Sequence, residues 1–105
     1  MGVKFVVRMT TAKGEFWWDG ASIYDRAAQD VSGMAFRAWG WLEHVTLAQR
    51  FATRGNAVKA AERLYTELGR LYPVRIDVVG VTASTLGWRV DETLVVEVGD
   101  CLRNG

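Results

Sequence analysis

Residues 51–79, FATRGNAVKAAERLYTELGRLYPVRIDVV, read as a strand end, a capped helix, a sharp stop and a second strand. Thr53 stands where a hydroxyl can accept from a free backbone N–H of the first helical turn. Ala57, Ala61, Leu64, Leu68 and Leu71 recur at spacings of four, three, four and three, which puts them on one apolar stripe. Lys59, Glu62, Arg63, Glu67 and Arg70 fall on the solvent side. The helix is expected over about 54–68, with Gly69 in a left-handed C-cap and Pro73 preventing continuation. Val74, Ile76 and Val78 then alternate with Arg75 and Asp77, which predicts a strand half-buried under the helix.

Upstream, Val3, Phe5, Val7 and Met9 alternate with Lys4, Val6, Arg8 and Thr10, giving a strand with a basic polar side. A short loop over 11–14 calls for a positive φ at Gly14, and Glu15 to Asp19 return as the second strand of a hairpin. Adjacent Trp17 and Trp18 must point to opposite faces, so one of them needs a cover. Ser22 and Asp25 mark the start of a shorter helix over about 22–32. The stretch 34–45, MAFRAWGWLEHV, is expected to be extended around Trp39 to His44, with a turn over Thr46 to Gln49. Downstream, Thr82 to Gly87 read as a loop, and Trp88 to Val98 as one bent strand or a tight hairpin about Asp91 and Glu92; Cys101 to Gly105 should fray. Together these elements predict a small single α+β domain over residues 1–105, with a mainly antiparallel sheet of about five strands packed on the long helix and the shorter helix beside it.

Thirteen basic and 12 acidic side chains give a formal charge of +1, which excludes a surface that is wholly an electrostatic trap for nucleic acid or membrane and leaves room for a local basic face. One cysteine, Cys101, excludes an internal disulfide and a cysteine zinc cluster. Lys4 and Arg8 interrupt the apolar run near the start, and no spanning apolar segment follows, so the expectation is a cytoplasmic protein without a membrane partner.

The only histidine, His44, lacks the partners of a nucleophile triad, and no phosphate loop, dinucleotide fingerprint or nucleophile elbow is present. No cofactor, metal or catalytic residue is therefore expected. Asp77 and Glu97, on neighbouring hydrophobic strands, resemble the metal-binding arms of restriction-type nucleases, but Gly99 stands where that pattern places a lysine. A degenerate metal-dependent nuclease is the lesser alternative.

Five tryptophans are many for one small core. Large aromatics fill cores, but they also dominate binding hot spots, so Trp17, Trp39, Trp41 and Tyr24 are the candidate anchors of a protein-binding patch. Lys4, Arg8 and Lys13 are the candidate nucleic-acid contacts, on a hairpin whose two strands could enter a groove. Spaced basic residues also protect sheet edges.

The segment RFATRGNAVKAAERL, preceded by FVVRM, EFWWDG and WGWLEH, resembles a strand-to-helix step of small phage-encoded accessory proteins. It is similar, more faintly, to arm-type DNA-binding domains of phage tyrosine recombinases and to half of a peptidoglycan-binding cell-division repeat. Each resemblance covers about a quarter of the chain. It implies a non-catalytic phage-type protein that binds and modulates a host or viral macromolecule, most simply a protein; the alternative is a small DNA- or RNA-binding domain. Homodimerisation through the tryptophan surface would serve either.

Overall fold

The computed structural model describes residues 2–20, 41–70 and 72–102. Five strands form one antiparallel sheet: β1 (Lys4–Thr11), β2 (Gly14–Trp18), β3 (Trp41–Leu42), β4 (Arg75–Ser84) and β5 (Gly87–Asp100), in the order β3-β2-β1-β4-β5. A 3₁₀ turn, Val45–Leu47, follows β3, and the α-helix of the described residues, α1 (Arg54–Leu68), joins the two halves of the sheet. The architecture is the expected α+β arrangement. The shorter helix expected over 22–32 lies outside the described residues.

The helix forms where its local signals place it. Thr53 is extended and its hydroxyl accepts from the Asn56 N–H at 3.2 Å, while Ala57, Ala61, Leu64 and Leu68 are buried along one stripe. They pack on Val7, Met9, Trp18, Trp41, Val74, Ile76 and Val78, with Phe51 stacked on Trp18 at 6.2 Å between ring centroids. Gly69 is not left-handed: at φ −65°, ψ −20° it continues the helical turn and donates its N–H to the Tyr65 carbonyl at 2.8 Å. Pro73 and the change to β4 suffice to end the helix.

The sheet is covered on both faces. Val6, Trp17, Ala48, Val79 and Val81 form a second cluster on the face away from α1, with Val45, Trp88 and Val90 packed against it. Trp17 and Trp18 do point to opposite sides, and residues around the 3₁₀ turn help cover Trp17. Because β1 is central, Val6, Val7, Arg8 and Met9 are buried in succession, so its polar side is not a solvent face.

The C-terminal half departs from expectation in length. β4 runs through Ser84, where a loop was expected from Thr82, and a two-residue turn leads straight into β5. β5 is one bent strand rather than a hairpin. Pairings Val79 with Val95 and Gly80 with Asp91 leave Glu92, Thr93 and Leu94 looped out, and a second irregularity leaves Val98 over. The chain does not fray at Cys101, whose N–H donates to the Val74 carbonyl at 3.0 Å while its thiol sits among the Tyr72 and Val74 carbonyls.

Gly99 explains a local sequence choice. A Cβ there would lie 2.5 Å from the Tyr65 ring, so only glycine lets the ring rest on β5. Gly99→Val is expected to destabilise the fold by about 1–3 kcal/mol through overpacking. Tyr65→Ala in the same background should return part of that loss; urea unfolding of the two single variants and the double variant measures both.

Candidate functional site

Arg8, expected on an open basic strand, is 4 % exposed, and its cross-strand partner Asp77 is 3 % exposed. The guanidinium holds the carboxylate with both arms, Nε to Oδ1 and Nη2 to Oδ2, each at 2.9 Å. Its Nη1 donates to Glu92 at 2.8 Å and lies 3.5 Å from Glu15, and the Trp17 ring is 5.8 Å from its central carbon. Burial alone would lower the Arg8 pKa, but the hydrogen bonds and charges of Asp77 and Glu92 outweigh it and hold the group above its ordinary value. Arg8 is thus a structural ion-pair centre and not a phosphate contact.

The looped-out segment of β5 delivers Glu92 to that centre. Asp91 closes the loop, accepting from the Thr93 hydroxyl at 2.6 Å and from the Thr93 N–H at 3.0 Å. These bonds, the hydroxyl first, hold the Asp91 carboxyl below the usual carboxylate range.

The remaining basic candidates do not converge. Lys4 begins β1 and Lys13 sits in the turn after it, nine residues on, about 30 Å apart along an extended chain. β1 is paired on both sides, so the β1–β2 hairpin is not a free ribbon that could enter a groove. The aromatic candidates are corrected similarly. Trp17 is 6 % and Trp41 0 % exposed, and both belong to the interior; Trp39 and Tyr24 lie outside the described residues. Asp77 and Glu97 are Cα partners, as the nuclease comparison requires, but both Asp77 oxygens are engaged by Arg8 and the Gly99 position is filled by Tyr65. Among the described residues no group of three or more His, Cys, Asp or Glu could hold a metal ion.

A different surface emerges at one end of the sheet. The rows Lys4–Val81–Val90 and Ala83–Trp88, with a bridge from Phe5 to Phe51, bring the starts of β1 and β5, the end of β4 and the 3₁₀ turn together. Thr46 lies against Gly87, where a Cβ would meet its hydroxyl oxygen at 2.8 Å. Next to these two residues stand Leu47, 59 % exposed, and Leu86, 95 % exposed at the tip of the β4–β5 turn. Arg50 lies over half-buried Trp88, its guanidinium carbon 4.6 Å from the ring centroid, and Arg54 lies 5.8 Å from the Phe5 ring.

This end is also segregated in charge. Residues 44–61 and 78–90 contain no aspartate or glutamate, and the end carries Lys4, Arg50, Arg54 and Arg89. The runs are bounded by Glu43 and Glu62 and by Asp77 and Asp91; Asp77 is held by Arg8, and Asp91 is bonded to Thr93 and near the charge of Arg89. Sequence reasoning placed Trp88 on a strand and Arg50 with Phe51 at a strand end, but passed over both as site residues; the acid-free runs were the available signal.

Comparison with protein-family models, curated proteins and solved structures finds no match. Among the described residues no helix is long and apolar enough to cross a membrane.

Two outcomes are expected. Arg8→Met should destabilise the fold by about 3–5 kcal/mol, because it leaves Asp77 buried without a partner, whereas Arg8→Met with Asp77→Leu should recover most of that loss in chemical denaturation. Thr93→Val should return the Asp91 pKa toward the ordinary carboxylate range, read by an NMR titration of its carboxyl carbon. The sign follows from the lowered folded-state pKa: the stabilising effect of ionised Asp91 is present above the unfolded-state value and is lost as pH falls through the folded-state value.

Proposed function

We propose that the chain is a non-catalytic binding domain that docks on a protein through the end formed by Leu47, Arg50, Leu86 and Trp88. The observation that carries this reading is Leu86, a large apolar side chain 95 % exposed on a short turn between two long paired strands. A leucine held out on a rigid tip, next to a second exposed leucine and an Arg–Trp pair, is the composition of a docking patch rather than of a solvated turn. The occupied state of Asp77 and the packed Gly99 support the absence of catalysis at the one carboxylate pair with a nuclease-like spacing. The resemblance of residues 50–64 to small phage-encoded accessory proteins supports a host protein as the partner, met in the host cytoplasm.

One observation favours a second reading, a nucleic-acid-binding domain: this end carries four cations, Lys4, Arg50, Arg54 and Arg89, and of these Arg89 interacts with a carboxylate, Asp91. Of the residues first considered for that role, only Lys4 belongs to it.

A photo-crosslinking residue at position 86, compared with one at position 13 in the opposite turn, tests the reading in cells. The expected result is a discrete protein adduct from position 86 that Leu47→Asp abolishes, with none from position 13. Equal adducts from both positions, or none from either, would overturn it. Adducts with nucleic acid alone would establish the second reading, and adducts only with another copy of the chain would make the patch a dimer contact.

A further inference from the structure

We infer that the partner presents an acidic, amphipathic peptide segment to this end, with a carboxylate seated on Arg50 and apolar side chains against Leu47 and Leu86. The inference rests on the protein-binding reading and adds the chemistry of the partner.

A comparison of two arginines, Arg8 and Arg50, shows why. Arg8 has its donors engaged by Asp77 and Glu92, with Glu15 beside them, so its charge is already answered. Arg50 is also held in place, by the Trp88 ring at 4.6 Å and by one Nη1–H donated to the Thr46 carbonyl at 3.2 Å. A guanidinium has five N–H donors, and among the described residues no carboxylate meets those of Arg50. A cation held against an aromatic ring, with its orientation set by a backbone carbonyl and donors to spare, is a preorganised receptor for an oxyanion.

The surroundings select the source of that oxyanion. Lys4 and Arg54 add positive charge at this end, while Arg89 is answered in part by Asp91, and this balance of cations fits more than one carboxylate in the partner segment. Exposed Leu47 and Leu86 offer nothing to a sugar-phosphate backbone, whose interfaces are more polar, but they match the apolar face of an amphipathic peptide. An anionic lipid surface fits less well. Only Leu86 projects fully, and one leucine contributes far less than a single acyl chain, which by itself anchors only marginally.

NMR titration of the ¹⁵N-labelled full chain provides the test, with four probes: a short amphipathic peptide of leucine and glutamate, its leucine–lysine counterpart, a single-stranded oligonucleotide, and vesicles containing phosphatidylserine. The glutamate peptide is expected to shift the amides of Leu47, Arg50, Leu86 and Trp88 and to weaken with added salt. Arg50→Gln should weaken it roughly tenfold, and Arg50→Lys, which keeps the charge but loses the fork, should fall between. Equal binding of both peptides would overturn the acidic-segment inference while leaving the protein-binding reading in place. So would failure of both peptides when position 86 still crosslinks to a protein. Shifts at these amides from the oligonucleotide or the vesicles alone would overturn the inference and the reading beneath it.

Discussion

The buried pair between Arg8 and Asp77 constrains the sheet more than any other polar contact described. The two residues face each other across the adjacent strands β1 and β4, both of which pack on α1 through their other face, and each lies on the face away from the helix. A one-residue slip of β1 against β4 would turn Arg8 into the layer of Val7, Met9, Ile76 and Val78, where no carboxylate waits for it. Burying two charges costs several kcal/mol each in desolvation, and the bidentate geometry offsets this without a large surplus. The pair's contribution is therefore to exclusion of wrong registers more than to net stability, and the pairing of β2 with β1 and of β5 with β4 inherits the register it sets.

The irregularity of β5 follows from the same centre. Three residues looped out at Glu92, Thr93 and Leu94 cost ladder hydrogen bonds, yet the loop carries Glu92 to the third arm of Arg8 and is closed by Asp91 on Thr93. It also bends an edge strand of 14 residues that would otherwise present a long straight template. At the opposite side, β3 contributes two residues, Trp41 and Leu42, among the described residues. The β5 edge is thus blunted by its bulge, which directs attention away from strand addition there and toward the end of the sheet.

What could be read from sequence was what local chemistry decides. The Thr53 cap, the Ala57–Leu68 stripe and the opposed directions of Trp17 and Trp18 depend on neighbours within a turn or a pleat, and each stands as expected. What could not be read was which strand is central. Alternation in β1 suggested one wet face, but β4 arrives from about 70 residues away with Asp77, so a lysine-and-arginine face became a buried ion-pair layer flanked by Lys4. The same distance hid the fate of the tryptophans: Trp17 is covered partly by residues around Ala48 and Trp41 lies under α1, and neither cover is adjacent in sequence. Two glycines had roles that sequence did not show. A glycine after a helix suggested a left-handed cap where the helical turn simply continued, and a glycine in place of a nuclease lysine proved to be the seat of an aromatic ring.

A formal charge of +1 conceals two regions of opposite character. Around Arg8 three carboxylates surround one cation, whereas the end built from Lys4, Arg50, Arg54 and Arg89 has cations and no acid in its own segments. Self-repulsion among exposed cations costs stability and is readily relieved by one glutamate in the intervening turns, which tolerate substitution. The exposed Leu86 is a second local cost, since a polar residue at that tip would serve the turn as well. Both departures occur at the same end of the sheet, beside Arg50, which is held by Trp88 and the Thr46 carbonyl and meets no carboxylate among the described residues. Departures from locally favourable chemistry are expected where a surface is shaped for something other than folding.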